Sequence, residues 1–398
     1  MQVGASSNTR IEWCDIFKGI VIVLMVVGHC TGRFNSYIYQ FHMAAFFFIS
    51  GYVRKSSSQS FFEEAFTSFC KTLWPFYMLN VFGVILYFFL DRLHMLSYLS
   101  VIQFPYPLQL VLLNLLNINT IPCDLFGATW FLPVLFTAGL IFRLLVKGCK
   151  KDWLILVVSI PVFLFSQGKK WAFFLDLAGM AQTYLIYGYL AHKGSLRLSK
   201  KLPFWAWGSG FVLISIIWSL SIRNGFYYGM DWPSRQFSGP MDLVFPIIGI
   251  CWAVFTSKTL ESIWFLKKLF VSIGKNSMGI MCFHFVGFKV AYLFLIAAGK
   301  MEWSDFSSLV PPLNLGLTGC VFIVAVSVFS SLMLWEGIKK VKFLRLAMGQ
   351  FNGKKLYSSL LHISIWNDLI LTLEWTASLI KETMAQYFAF LKAHMKRH

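Results

Sequence analysis

Ten times along its 398 residues the chain runs for roughly twenty positions with few charges, the length a helix needs to cross the hydrocarbon core of a bilayer. The runs fall near 14–32, 37–54, 69–91, 129–147, 153–168, 171–191, 204–222, 240–257, 277–299 and 313–336. Charged residues make up only 13 % of the chain and hydrophobic ones 57 %. A soluble domain carries about 25 % charge, so this chain cannot cover a globule of its size with polar surface. The sequence therefore predicts an all-α polytopic membrane protein of about ten transmembrane helices, with 42 phenylalanines suited to lipid-facing and bundle-packing surfaces.

A net charge of +18 would suggest a nucleic-acid partner for a soluble protein. Here the basic residues lie mostly between apolar runs, so they are read as a topology signal, and nucleic acid is excluded as a partner. With the N-terminus placed in the cytoplasm, the inner segments hold 22 Lys and Arg and the outer loops seven. That bias predicts cytoplasmic N- and C-termini for a multi-pass membrane protein. Acidic Glu12 and Asp15 before the first apolar run argue against a cleavable signal peptide. The eight cysteines are scattered, with no metal-ligand spacing, so neither a disulfide framework nor a metal site is expected.

Two stretches do not fit a simple span. Pro107 to Leu116 reads as a half-helix or interfacial piece in a long loop. From Trp366 to Lys392, apolar positions recur at helical spacing but are interrupted by Asp368, Glu374, Lys381 and Glu382. An interfacial amphipathic helix on the cytoplasmic leaflet is the preferred reading, with an eleventh span as the alternative. The expected organisation is a transmembrane domain over 1–345 and a cytoplasmic or interfacial helical tail over 346–398.

Ionisable side chains inside a span are costly and point to function. The first run contains Asp15, Lys18 and His29. At 100° per residue, Lys18 and His29 differ by only about 20° after three turns, and Asp15 lies within about 60° of Lys18. One stripe of one helix thus carries an acid and a base at its start and an imidazole about 16 Å further along the axis. The bland reading is that Lys18 snorkels to the headgroups and Asp15 merely pairs with it. His29 is harder to place structurally, and Gly28 beside it permits close approach of another backbone or a substrate. The next helix brings His42 to a similar depth, either as part of a proton relay or substrate site or as a hydrogen-bonded structural pair.

These residues carry a resemblance. Asp15-x-x-Lys18-Gly19, followed after ten residues by His29, resembles the Arg/Lys-x10-His motif of the integral membrane acyltransferase-3 family. Phe41-His42-Met43 through Ser50-Gly51-Tyr52 resembles the family's following helix, with Ala44 where a proline is usual. Thr129-Trp130-Phe131-Leu132 resembles its Trp-Phe-Leu signature, and Gly274-Lys275-Asn276-Ser277 through His284 its late helix. The blocks fall in family order over residues 10–340. The tail beyond about 346 has no counterpart in the resemblance.

The resemblance implies an O-acyltransferase of the branch that acetylates sugars of envelope polysaccharides, a fucose 4-O-acetylase-like enzyme. Acetyl-CoA, or another acyl-CoA, is then the co-substrate, a sugar or polysaccharide the acceptor, and the lipid bilayer the surroundings. In that setting His29 is expected to act as the base for an acceptor hydroxyl or to carry the acyl group transiently. Lys18 is expected to attract the phosphates of a cytoplasmic donor, with Asp15 orienting it. His42, Trp130, Phe131 and His284 are expected at the substrate site, although aromatics at the start of a span also serve as belt residues. The outer loop Tyr227-Tyr228-Gly229-Met230-Asp231-Trp232 is a further candidate acceptor platform. Two rival classes stay open: a transporter or flippase of a lipid-linked sugar, and an inactive relative acting as sensor or scaffold. No internal repeat supports the transporter reading.

Overall fold

The computed structural model describes residues 11–30, 32–54, 60–95, 124–149, 151–197, 202–312 and 315–361, together with a few positions between 371 and 382. Among them regular structure is helical, apart from one isolated antiparallel bridge between Asp231 and Gln236. The loop piece expected at Pro107 to Leu116 lies outside the described residues, as does most of the tail helix expected from Trp366.

Helix α1 spans Glu12–Cys30 and is buried nearly all round, with Phe17, Val21 and Val26 inaccessible. Glu12 and Asp15 in its first turn complement the helix dipole. A short 3-10 turn reverses the chain into α2, Asn35–Tyr52. Helix α3, Phe61–Lys71, starts where Ser60 accepts a hydrogen bond from the Glu63 amide, an N-cap that fixes its first turn. A break at Thr72 leads into α4, Leu73–Arg92, whose Pro75 sits in the first turn, where no amide is missed.

Then come α5 (Phe131–Gly148), α6 (Asp152–Ser166), α7 (Leu175–Arg197), α8 (Phe204–Arg223) and α9 (Phe245–Leu260). Helices α10 (Trp264–Lys275), α11 (Ser277–Ala297), α12 (Gly316–Lys340), α13 (Lys342–Ala347) and α14 (Gly353–Leu361) complete the order. Among the described residues, seven segments are both long and apolar enough to cross a membrane: Glu12–Cys30, Phe61–Arg92, Leu125–Gly148, Phe204–Arg223, Gly239–Leu260, Ser277–Ala297 and Gly316–Lys340. The expected count of ten is therefore not carried by length and apolarity. The other three runs are helices α2, α6 and α7, and each falls short for a physical reason. Helix α6 has only 15 residues. Helices α2 and α7 bury the polar groups Gln40, His42, Asp176, Gln182 and Thr183. Helices enclosed by other helices can carry such groups, because neighbouring protein rather than lipid surrounds them.

Helix α1 packs against α2, α9, α10, α11 and α12, while α2 packs along α7 and α9. The α2–α7 contact is close. A Cβ on Gly51 would collide with the Leu185 carbonyl, and one on Gly188 with the Phe48 carbonyl. Small residues at such crossings let backbones touch, which drives helix association where lipid removes the hydrophobic force. Helix α8 lies at the rim, with Trp218 its only buried residue and Leu213, Ile216 and Leu220 exposed. The start of the tail folds back: Gly353 meets Thr67, and the Tyr357 and Phe66 rings lie 5.6 Å apart.

Candidate active site

Between α1, α2 and α11 lies a cavity of about 580 Å³. Its length follows the stripe read on the first helix, because Lys18, Ile22, Met25 and His29 all wall it. On α2 the matching face is Tyr39, His42, Met43, Phe46, Ile49 and Ser50, a helical repeat along one side. Helix α11 contributes Ser277, Met278 and Met281. The arrangement is forced by close packing of α1 on α10. A Cβ on Gly274 would collide with the Asp15 carbonyl, so only glycine lets the α10–α11 turn lie there, beside Lys18.

One end of the cavity is basic. Lys18, Lys71 and Lys275 reach it from three separate elements. Lys18 sits 3.9 Å from Asp15, whose carboxylate is buried and does not wall the cavity. Asp15 is thus placed to hold the ammonium. Lys71 and Lys275 have no ion pair among the described residues. Three ammonium groups facing one opening attract a polyanion.

The other end is built around His29. Its ring stacks on His284 at 5.3 Å and 25°, and it has Phe285 at 5.2 Å and Tyr39 at 6.5 Å. The imidazole that stacks on His29 is thus His284 rather than His42. His42 is separated from His29 by Tyr39, whose ring lies 5.2 Å from His42. Among the described residues His29 makes no hydrogen bond, so both its nitrogens stay open to a ligand. His42 and His284 differ in this. Nδ1 of His42 donates to the Ile38 carbonyl at 2.8 Å, and Nδ1 of His284 points at the carbonyls of Ile280 and Met281 at 3.2 and 3.0 Å. A carbonyl only accepts, so these contacts place the proton on Nδ1 and leave the lone pair on Nε2. His42 walls the cavity, whereas His284 is wholly buried behind His29 and walls neither of the cavities described here.

Trp130 and Phe131 are 9 % and 8 % exposed, which removes the belt reading: they face the interior and wall the cavity. Trp130 stacks on Trp232 at 6.3 Å and 21°. The loop carrying Trp232 is the one read as an acceptor platform, and part of it is folded into the bundle. Met230 donates its amide to the Tyr39 carbonyl at 3.0 Å, and Met230, Asp231, Trp232, Pro233 and Ser234 line the cavity. Asp231 thus shares a cavity wall with His29. Asp231 was legible only as a loop acid, since nothing local ties it to a histidine 202 positions earlier.

A second cavity of about 330 Å³ meets the first at His29, Ala128, Trp130 and Pro233. Its remaining wall includes Phe174, Arg235, Phe285 and Leu309. Sequence reasoning missed Phe174, which read as one more apolar residue of the run 171–191 and sits in a 3-10 turn, and Arg235, which comes from a loop without periodicity.

Apolar, membrane-type helices thus enclose a passage that is basic at one end and has an imidazole where two cavities join. The model of the acyltransferase-3 family, described as an acyltransferase domain, matches residues 11–334. The chain belongs to that family, and it is a membrane acyltransferase by family and by its membrane-type helices. No curated protein and no solved structure matches it.

Proposed function

We propose that this chain is an O-acyltransferase of the cell membrane that moves an acyl group, most simply acetyl, from acyl-CoA to a hydroxyl of an envelope sugar or polysaccharide. The observation that carries the reading is the position of His29, on the wall shared by the two cavities. A thioester arriving through the first cavity and a hydroxyl arriving through the second meet at one imidazole.

In this reading the phosphates of the donor rest at Lys18, Lys71 and Lys275, on the cytoplasmic side, and the pantetheine arm extends about 16 Å along α1. The apolar middle of the cavity, Ile22, Met25 and Phe46, suits such an arm. His29 takes the proton of the acceptor hydroxyl as its oxygen attacks the thioester carbonyl. The tetrahedral intermediate then expels the thiolate, which recovers that proton from the imidazolium. Asp231 stabilises the imidazolium by opposite charge. Tyr39 supplies a hydroxyl for the oxyanion; its present contact, with the Gly28 carbonyl at 3.4 Å, is long enough to give up easily. His42 offers an acceptor nitrogen to a substrate hydroxyl, and Trp130 and Phe131 shape the junction.

A positioned base contributes about 10²–10⁴-fold to rate. His29→Ala should therefore remove at least about 99 % of the acyl groups that this protein adds to envelope glycans, read by glycan mass spectrometry, with expression and membrane insertion unchanged. A normally folded His29→Ala protein that sustains wild-type acylation would exclude the role.

A further inference from the structure

We propose that the second cavity is the acceptor subsite, and that it takes a single hydroxyl-bearing sugar ring against the face of Phe174 with Arg235 donating to its oxygens. This rests on the acyl-transfer reading and extends it to residues outside the family's motifs.

Backbone strain marks the place. Four non-glycine residues among those described have φ in the left-handed region, and three of them meet here: Phe173 at 58°, Phe174 at 52° and Arg235 at 57°. Side chains disfavour that conformation, and it persists where surrounding structure imposes it, often at binding sites. Glycine would suit the backbone better at 174 and 235. Both positions instead carry large side chains, and both side chains wall the cavity.

The chemistry of the wall fits a sugar. Phe174 and Trp130 offer apolar ring faces to the C–H side of a pyranose. Arg235 offers a rigid planar donor: its Nε donates to Asp176 at 2.9 Å, its Nη1 to the Pro233 carbonyl at 2.9 Å, and its guanidinium lies 5.7 Å from the centre of the Phe174 ring. Its Nη2 is buried and has no hydrogen-bond partner among the described residues, a donor that a ligand oxygen could meet after a small shift. Asp176 is wholly buried and balances the guanidinium charge, so the pair recognises hydroxyls rather than a phosphate. Lys71 and Lys275, which have no ion pair among the described residues, lie at the far end of the first cavity. A ring seated here places a hydroxyl beside His29, which walls the same space.

The test reads acceptor use and donor binding separately. Phe174→Gly relaxes the backbone while removing the ring, and Phe174→Trp keeps an aromatic face. Arg235→Gln is made together with Asp176→Asn, so that no buried carboxylate is left unpaired. Glycan acylation in cells is measured by mass spectrometry, and coenzyme A affinity by calorimetry on the purified full-length protein. Phe174→Gly and the double variant should lower acylation about tenfold with coenzyme A affinity within about twofold of wild type, the loss expected from one binding contact. Phe174→Trp should retain acylation. Wild-type acylation in both the Phe174→Gly and the double variant would overturn the subsite, as would a parallel fall in coenzyme A affinity. If wild-type glycans carry no acyl group that a deletion strain lacks, the acyl-transfer reading itself fails, and that result is distinct from the other two.

Discussion

At the scale of single residues, the division of labour along α1 is the main consequence of the geometry. Lys18 belongs to the basic opening and His29 to the junction, so substitutions at the two should separate donor binding from chemistry. A charge-assisted contact is worth about 1.5–3 kcal/mol. Lys18→Ala should therefore raise the apparent KM for acyl-CoA roughly ten- to hundredfold while leaving the acceptor KM within about twofold, measured by transfer kinetics in membranes. An acceptor KM that rises while the donor KM stays fixed would reverse the assigned direction of the passage. The relation of Lys18 to His29 was legible in the sequence because both lie on one helix, where spacing fixes angle and depth. The stacking of His29 on His284, and the placement of Asp231 on the same cavity wall as His29, were not legible. They depend on how α1, α11 and a loop meet in space, and no periodicity encodes that.

At the scale of elements, the site depends on helices that approach backbone to backbone. The α2–α7 crossing holds the face of α2 carrying Tyr39 and His42, and it has no room for a Cβ at Gly51 or Gly188. Forcing a side chain into such a contact costs about 1–3 kcal/mol. Gly188→Val should lower the thermal midpoint of the detergent-solubilised protein by several degrees and reduce activity by displacing α2. A variant as stable and as active as wild type would mean that the crossing is looser than it is drawn here. Hydropathy revealed most helices but not which of them meet lipid, since an apolar run in α2 or α7 looks alike whether lipid or protein surrounds it. For the same reason Trp130 and Phe131 read equally well as belt or lining until burial placed them inside. The platform loop was visible as an aromatic cluster, yet only its fold shows that Met230 to Ser234 turns inward to close the junction.

At the scale of the whole molecule, the two cavities and their shared imidazole form one passage whose ends differ in character. The first opens among lysines and suits a phosphorylated donor; the second is aromatic and charge-balanced and suits an uncharged ring. With the lysine end facing the cytoplasm, as the bias of basic residues toward alternate loops predicts, the proposed function gives the acyl group a direction of travel across the bilayer. Sealed, oriented membrane vesicles carrying acceptor glycan test this most directly. With acetyl-CoA labelled in the acetyl group supplied at the cytoplasmic face, the account predicts label on glycan for the wild-type protein, essentially none for His29→Ala, and none for the wild type when donor is supplied only at the opposite face. Label on glycan with donor at the opposite face alone, or glycan that moves across the membrane without gaining label, would contradict it.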